Sequence, residues 1–194
     1  MTRKSIDLVV ETDPSWVEVP LGNFDEFMMD HANCERKASA LAMSLVMKYS
    51  DRLSIIPGLI DVALEELEHF RQVYTLMQAR GLALVSDVPD PYVKQLNKLM
   101  RHTRDERFMD QMLVASVVEC RGAERFGLIA EALTDPELKA FYTDLQKAEQ
   151  KHGHLFVHLL LNEFPEQAVY TRCQELMQEE ACIVQSLPWR AALH

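Results

Sequence analysis

One short pattern, Glu-x-x-His, occurs twice in this chain and could do chemistry in both places. The first copy is Glu66-Leu67-Glu68-His69 and the second is Glu149-Gln150-Lys151-His152. On a helix, a spacing of three puts both side chains on one face, less than a turn apart. A carboxylate oxygen and an imidazole nitrogen so placed can bind one metal ion together. Either copy alone reads as well as a solvated Glu and His, because the chain has seven His and Glu is common in helices. Two further glutamates change the balance: Glu35 precedes Glu66 by 31 residues, and Glu119 precedes Glu149 by 30. Helical bundles that hold two metal ions take one Glu from each of two helices and a Glu-x-x-His from each of the other two. The near-equal intervals are what two antiparallel helix hairpins need to bring such ligands to one level.

The flanking residues argue for burial. At helical spacing Glu35 shares its face with Met28, Ala38, Ala42 and Leu45, and Glu66 with Leu59, Val62, Phe70 and Val73. Glu119 shares its face with Met112, Ala115, Ala123 and Phe126, and Glu149 with Tyr142, Leu145, Phe156 and Leu159. A carboxylate inside an apolar stripe is expensive unless it is paired or bound to metal. The expected ligand set is therefore Glu35, Glu66, His69, Glu119, Glu149 and His152. Its oxygen and nitrogen donors suit iron or manganese over a thiolate-preferring metal. Glu35, Glu66 and His69 would serve one ion, and Glu119, Glu149 and His152 the other. Which glutamates bridge is left open, with Glu66 and Glu149 favoured. No catalytic side chain is expected beyond these ligands. His31, one turn before Glu35, is a candidate to support it. Glu65, Glu68, His154 and His158 read as surface or packing residues, and Cys34 and Cys120 as packing.

Caps and prolines give the elements that must position these residues. Asn23 with Glu26 resembles a capping box for a long helix over 24–49. Pro57 suits the first turn of a second long helix that Gly81 ends. Asp90-Pro91 opens a short connector to about Arg101. Thr103 with Glu106 caps a third long helix to about Leu133. Asp135-Pro136 starts a fourth, to about Asn162, and Pro165 begins a last helix ending before Pro188. Segments 1–22 and 82–90 read as irregular. The expectation is an all-α, single-domain chain over 1–194: a four-helix bundle with a short connector helix and an additional C-terminal helix.

The 194 residues are 48% hydrophobic and 26% charged, a composition that can bury a full core. No window offers the roughly 18 uninterrupted apolar residues of a membrane span. The opening residues MTRKSIDLVV lack the apolar stretch of a signal peptide. The expected location is the cytoplasm, with no membrane partner. The four cysteines form no Cys-x-x-Cys pair, which argues against structural zinc and for free thiols. A net charge of −10 is a poor advertisement for nucleic-acid binding. Four of those negative charges belong to the proposed ligands, however, and two divalent ions would cancel them. Positive charge gathers at the connector, where Lys94, Lys98 and Arg101 would share a helical face. A solvated charged face explains that run equally well.

The flanking wording goes further than the ligands. "HANCERKASALAMSLVMKY" around Glu35, "LEELEHFRQVY" around Glu66 and His69, "VVECRGAERF" around Glu119 and "AEQKHGHLF" around Glu149 and His152 together resemble the MiaE family of ferritin-like tRNA hydroxylases. The resemblance runs from about Glu26 to Leu161, with no departure at the six ligand positions. It implies two iron ions and dioxygen-dependent hydroxylation of the isopentenyl group on a modified, usually methylthiolated, adenosine beside the tRNA anticodon. It also implies an external electron donor and the tRNA anticodon loop as partners. Gly122 and Ala123, the small residues following Glu119, could open a pocket for the prenyl tail or serve close helix packing. Lys94, Lys98 and Arg101 would be RNA contacts.

Three other readings compete: a bacterioferritin-like iron oxidase or storage protein, a di-metal redox enzyme acting on small substrates, and a helical interaction module whose Glu and His are incidental. The connector and the extra C-terminal helix are unneeded in a minimal ferritin, and no cysteine-rich electron-transfer segment is present.

Overall fold

The computed structural model describes residues 6–194. The first five residues of the expected irregular segment lie outside it. The described residues contain helices and no strands: a 3-10 turn at Pro14–Val17, then α1 (Glu18–Gly22), α2 (Phe24–Lys48), α3 (Ile56–Ala79), α4 (Pro91–Lys98), α5 (Arg104–Ala132), α6 (Pro136–Leu160) and α7 (Glu166–Ser186). They form two compact units.

One unit comprises Ser15–Pro89 and Trp189–Leu193. Its centre is the α2/α3 hairpin, with Phe27, Met28, Leu45, Leu59, Val62, Val73 and Met77 buried. Pro57 sits in the first turn of α3, where its missing N–H costs nothing. Gly81, at φ 72°, ends that helix. The Leu82 amide donates to the Met77 carbonyl and the Gly81 amide to that of Gln78, closing the end in a Schellman motif that only glycine enters without strain. The Ser39 hydroxyl donates to the Ala63 carbonyl at 2.8 Å and sets the register of the hairpin. Four residues back along α2 lies Glu35, and three forward along α3 lies Glu66, so the two glutamates come level.

The other unit comprises 6–14, Asp90–Pro188 and His194. Asp90 caps α4 by accepting from the Tyr92 amide, and Asp135 caps α6 by accepting from those of Glu137 and Leu138, as expected of Asp before Pro. In the α5/α6 hairpin the Ser116 hydroxyl donates to the Gly153 carbonyl at 2.6 Å. Three residues on lies Glu119, and four back from Gly153 lies Glu149.

Four local expectations need correction. Within 1–22 the chain is partly ordered into the 3-10 turn and α1, where Trp16 is 1% exposed. Burial of that indole, not local propensity, fixes the turn. The Asn23 side chain does not cap α2; its amide donates back to the Val19 carbonyl of α1. Thr103 does not cap α5 through its side chain, because its hydroxyl donates to the Glu106 carboxylate instead. The connector α4 stops at Lys98, so Arg101 does not share its helical face with Lys94 and Lys98. The buried Asp110 carboxylate captures both the Arg101 amide (2.8 Å) and its guanidinium (2.7 Å), pulling the chain out of the helix.

A buried charge cluster holds the N-terminal segment against α5 and α7. Arg121 and Glu180, both 0% exposed, form a two-pronged ion pair at 2.8 and 2.9 Å. The Tyr92 hydroxyl donates to the same carboxylate. Arg121 also donates to the Val10 carbonyl, while Thr12 bonds Glu124 through both its amide and its hydroxyl. Burial disfavours the charge on Arg121, but its bonds to Glu180 more than offset this and raise its pKa overall. Burial pulls neighbouring Arg125 down to about 10. Removing one member strands its partner's charge, so Glu180→Leu should lower unfolding free energy by about 3–5 kcal/mol. The double variant Glu180→Leu/Arg121→Met should recover more than half of that loss. Urea denaturation of the three proteins checks both expectations.

Candidate metal centre

Glu35 is 3% exposed and Glu66 is 1% exposed, each inside the apolar interior of the α2/α3 hairpin. The half-buried His69 points Nδ1 at both: 3.6 Å from Glu35 Oε2 and 3.5 Å from Glu66 Oε2. One ligand atom from each of the three lies within 4.8 Å of the others. Two carboxylates and an imidazole this close, removed from water, form a site that fits a cation: the carboxylates repel one another unless positive charge lies between them. The donors are hard oxygens and one nitrogen, which suit iron or manganese. Behind Glu35, His31 is fully buried and holds Oε1 at 2.6 Å.

The α5/α6 hairpin repeats the chemistry within its own unit. Glu149 is 2% and His152 0% exposed, and His152 turns the same ring nitrogen, Nδ1, to Glu149 Oε2 at 3.1 Å. Glu119 is half-buried on α5. Gly122 and Ala123 lie on the buried face of that helix.

Burial pushes the Cys120 thiol up to about 12 and that of Cys173 up to about 11, so both stay protonated and poor as ligands at neutral pH. Glu68 points away to Arg71 and Gln72, and His154 turns to the Gln150 carbonyl of its own helix. Of the basic residues picked out from the sequence, Lys94 and Lys98 are exposed on α4. Arg101 is engaged by Asp110 and Glu106, with Asp110 shared by Arg172.

Sequence reasoning missed the residue that sets the hairpin spacing beside His152. A Cβ on Gly153 would lie 2.7 Å from Cys120 Sγ and 3.2 Å from the Ser116 carbonyl oxygen. Glycine thus lets α5 and α6 approach at the level of Glu119 and Glu149. A mid-helix glycine directly after a Glu-x-x-His was the available signal, since glycine there costs about 1 kcal/mol against Ala and needs a reason.

Comparison with known proteins agrees with this chemistry. A solved structure, Protein 43 with aldehyde deformylating oxygenase activity from Synechococcus, matches with a TM-score of 0.89 and 34% identity, covering 96% of this chain and 94% of that one. Fold and cluster together define a ferritin-like, all-helical protein with a carboxylate–histidine metal site. The chain belongs to the MiaE family, described as tRNA-(MS[2]IO[6]A)-hydroxylase (MiaE), which it matches over residues 2–194. A relative from Pseudomonas putida is named tRNA 2-(methylsulfanyl)-N(6)-isopentenyladenosine(37) hydroxylase. It is 35% identical over 167 residues, 86% of this chain and 80% of the relative. A protein of the same name from Salmonella typhimurium is 33% identical over 98 residues, 50% of this chain and 36% of that one.

The tight packing at Gly153 carries a prediction. Gly153→Ala should cost about 1–3 kcal/mol of stability by overpacking. Adding Cys120→Ala, which removes the nearer obstacle, should restore part of it. Urea midpoints of the single and double variants measure this.

Proposed function

We propose that this chain is a di-iron monooxygenase that hydroxylates the isopentenyl group of the modified adenosine beside the tRNA anticodon. The observation that carries the reading is the buried Glu35–Glu66–His69 cluster, in a chain 35% identical to a hydroxylase of that nucleoside. Six residues would hold the metal: Glu35, Glu66 and His69 from one hairpin, and Glu119, Glu149 and His152 from the other. This arrangement requires residues 1–194 to work as one domain.

Bound ferrous iron supplies the activation of dioxygen that attack on an unactivated C–H bond requires. The protein's part is to hold, shield and aim. The apolar stripes of α2, α3, α5 and α6 keep water from the ligands. Gly122 and Ala123 would leave room for the five-carbon tail. The balance is simple: dioxygen gives one oxygen atom to the C–H carbon, and the other leaves as water with two protons. The two electrons required come from an external donor protein or reductase. The anticodon loop is single-stranded, so its base can be presented without breaking a duplex. Among the described residues, no helix is long and apolar enough to cross a membrane. Acting on tRNA, the protein would work in the cytoplasm.

The reaction is tested by supplying reduced, iron-loaded protein with heavy-isotope dioxygen and tRNA bearing the prenylated adenosine, then weighing the nucleosides. One labelled oxygen atom on that nucleoside is the expected result, with turnover lost in Glu119→Ala and His69→Ala along with bound iron. Iron oxidation with no nucleoside change under several donors would favour the bacterioferritin-like reading.

The RNA surface is tested separately, by charge reversal at Lys94 and Lys98. The double variant should bind tRNA more weakly and with a shallower salt dependence, by about one counterion for each lysine reversed. Unchanged affinity and slope would move the RNA surface elsewhere. Arg101, spent on Asp110, should contribute to folding more than to binding, so its replacement should lower the melting temperature.

A further inference from the structure

The two hairpins differ in the residue one turn before the single glutamate. Four residues before Glu35, on the same helix face, stands His31; four residues before Glu119 stands Ala115. His31 Nε2 lies 2.6 Å from Glu35 Oε1, and both side chains are buried. An ionised Glu35 can only accept, so His31 meets it as the tautomer that carries its proton on Nε2. The other oxygen of Glu35, Oε2, is the one turned to His69, at 3.6 Å.

The ring is itself propped from the surface inward. Phe27, 0% exposed, leans on it with centroids 6.1 Å apart. Phe24 stacks on Phe27 at 5.9 Å. The Arg80 guanidinium lies 5.5 Å over the Phe24 ring and pairs with Asp25. A histidine pressed between an aromatic stack and a carboxylate has little freedom to turn.

We propose that His31 is a positioning residue that holds Oε1 of Glu35, so that Glu35 offers a metal ion only Oε2. The inference rests on the two-metal reading above and adds an asymmetry to it. The ion served by Glu66 and His69 meets a glutamate restricted to one oxygen. The ion served by Glu149 and His152 would meet Glu119, whose helix carries alanine and not histidine four residues before it. A hydrogen bond behind a ligand typically changes metal affinity ten- to a hundred-fold.

The test uses the full chain and cobalt(II) under anaerobic conditions, because its visible bands report coordination number at each site. Wild type should take up two ions per chain with separable affinities and spectra. In His31→Leu, one site should weaken about ten- to a hundred-fold. Its bands should lose intensity as Glu35 chelates with both oxygens, while the other site keeps its affinity and spectrum. His31→Gln keeps a side-chain N–H long enough to reach Glu35 and should restore both readouts. His31→Asn falls short of the carboxylate and should behave like His31→Leu, so it replaces that variant should leucine prevent folding. Phe27→Leu should give an intermediate effect. A His31→Leu or His31→Asn protein with wild-type affinity and spectrum at both sites overturns the inference. So does a folded His31→Gln protein as impaired as those two. Wild type that takes up no cobalt overturns the two-metal reading itself and this inference with it.

Discussion

Burying a carboxylate in an apolar helix face is unfavourable by several kcal/mol unless a positive charge meets it, and most of this structure is arranged around that constraint. Glu35, Glu66 and Glu149 are each almost wholly removed from water. Their helices could have carried leucine at those positions and gained stability. Each hairpin brings its glutamates level by the same means: a serine hydroxyl, on Ser39 or Ser116, donates to a carbonyl of the opposite helix, one turn from the glutamates. The order is inverted between the two, with Ser39 following its glutamate and Ser116 preceding its own.

A second set of buried charges is solved without metal. Arg121, Glu180, Glu124 and Tyr92 satisfy one another through short hydrogen bonds and bind the backbone at Val10 and side chain at Thr12. The contrast is informative. Where the chain needs a stable core it brings an arginine to a buried glutamate. In the α2/α3 cluster it brings imidazoles and a second glutamate, a donor set that fits a cation.

The Glu35–Glu66–His69 cluster was legible because it follows helical arithmetic. A spacing of three within a motif and of about thirty between helices survives errors of several residues in any helix end. The long helices were legible for a like reason: prolines at 57, 91, 136 and 165 and the glycine at 81 act locally. What was hidden depends on distant partners. Arg101 looks like one more solvated cation until Asp110, nine residues on, takes its amide and guanidinium together. Asn23 has the composition of a cap, yet the end of α1 claims its amide. Gly153 reads as a defect in a helix until the Cys120 sulfur and Ser116 carbonyl are placed against it. No sequence pattern at α4 separates a phosphate contact from a solvated lysine, because both are exposed and charged.

The central claim is that six side chains hold two iron ions, and anomalous diffraction at the iron edge from crystals of the ferrous-loaded chain tests it most directly. The account predicts two iron peaks of comparable height per chain, one bounded by Glu35, Glu66 and His69 and the other by Glu119, Glu149 and His152. A single peak, or iron confined to surface carboxylates with these six residues free of it, would contradict it.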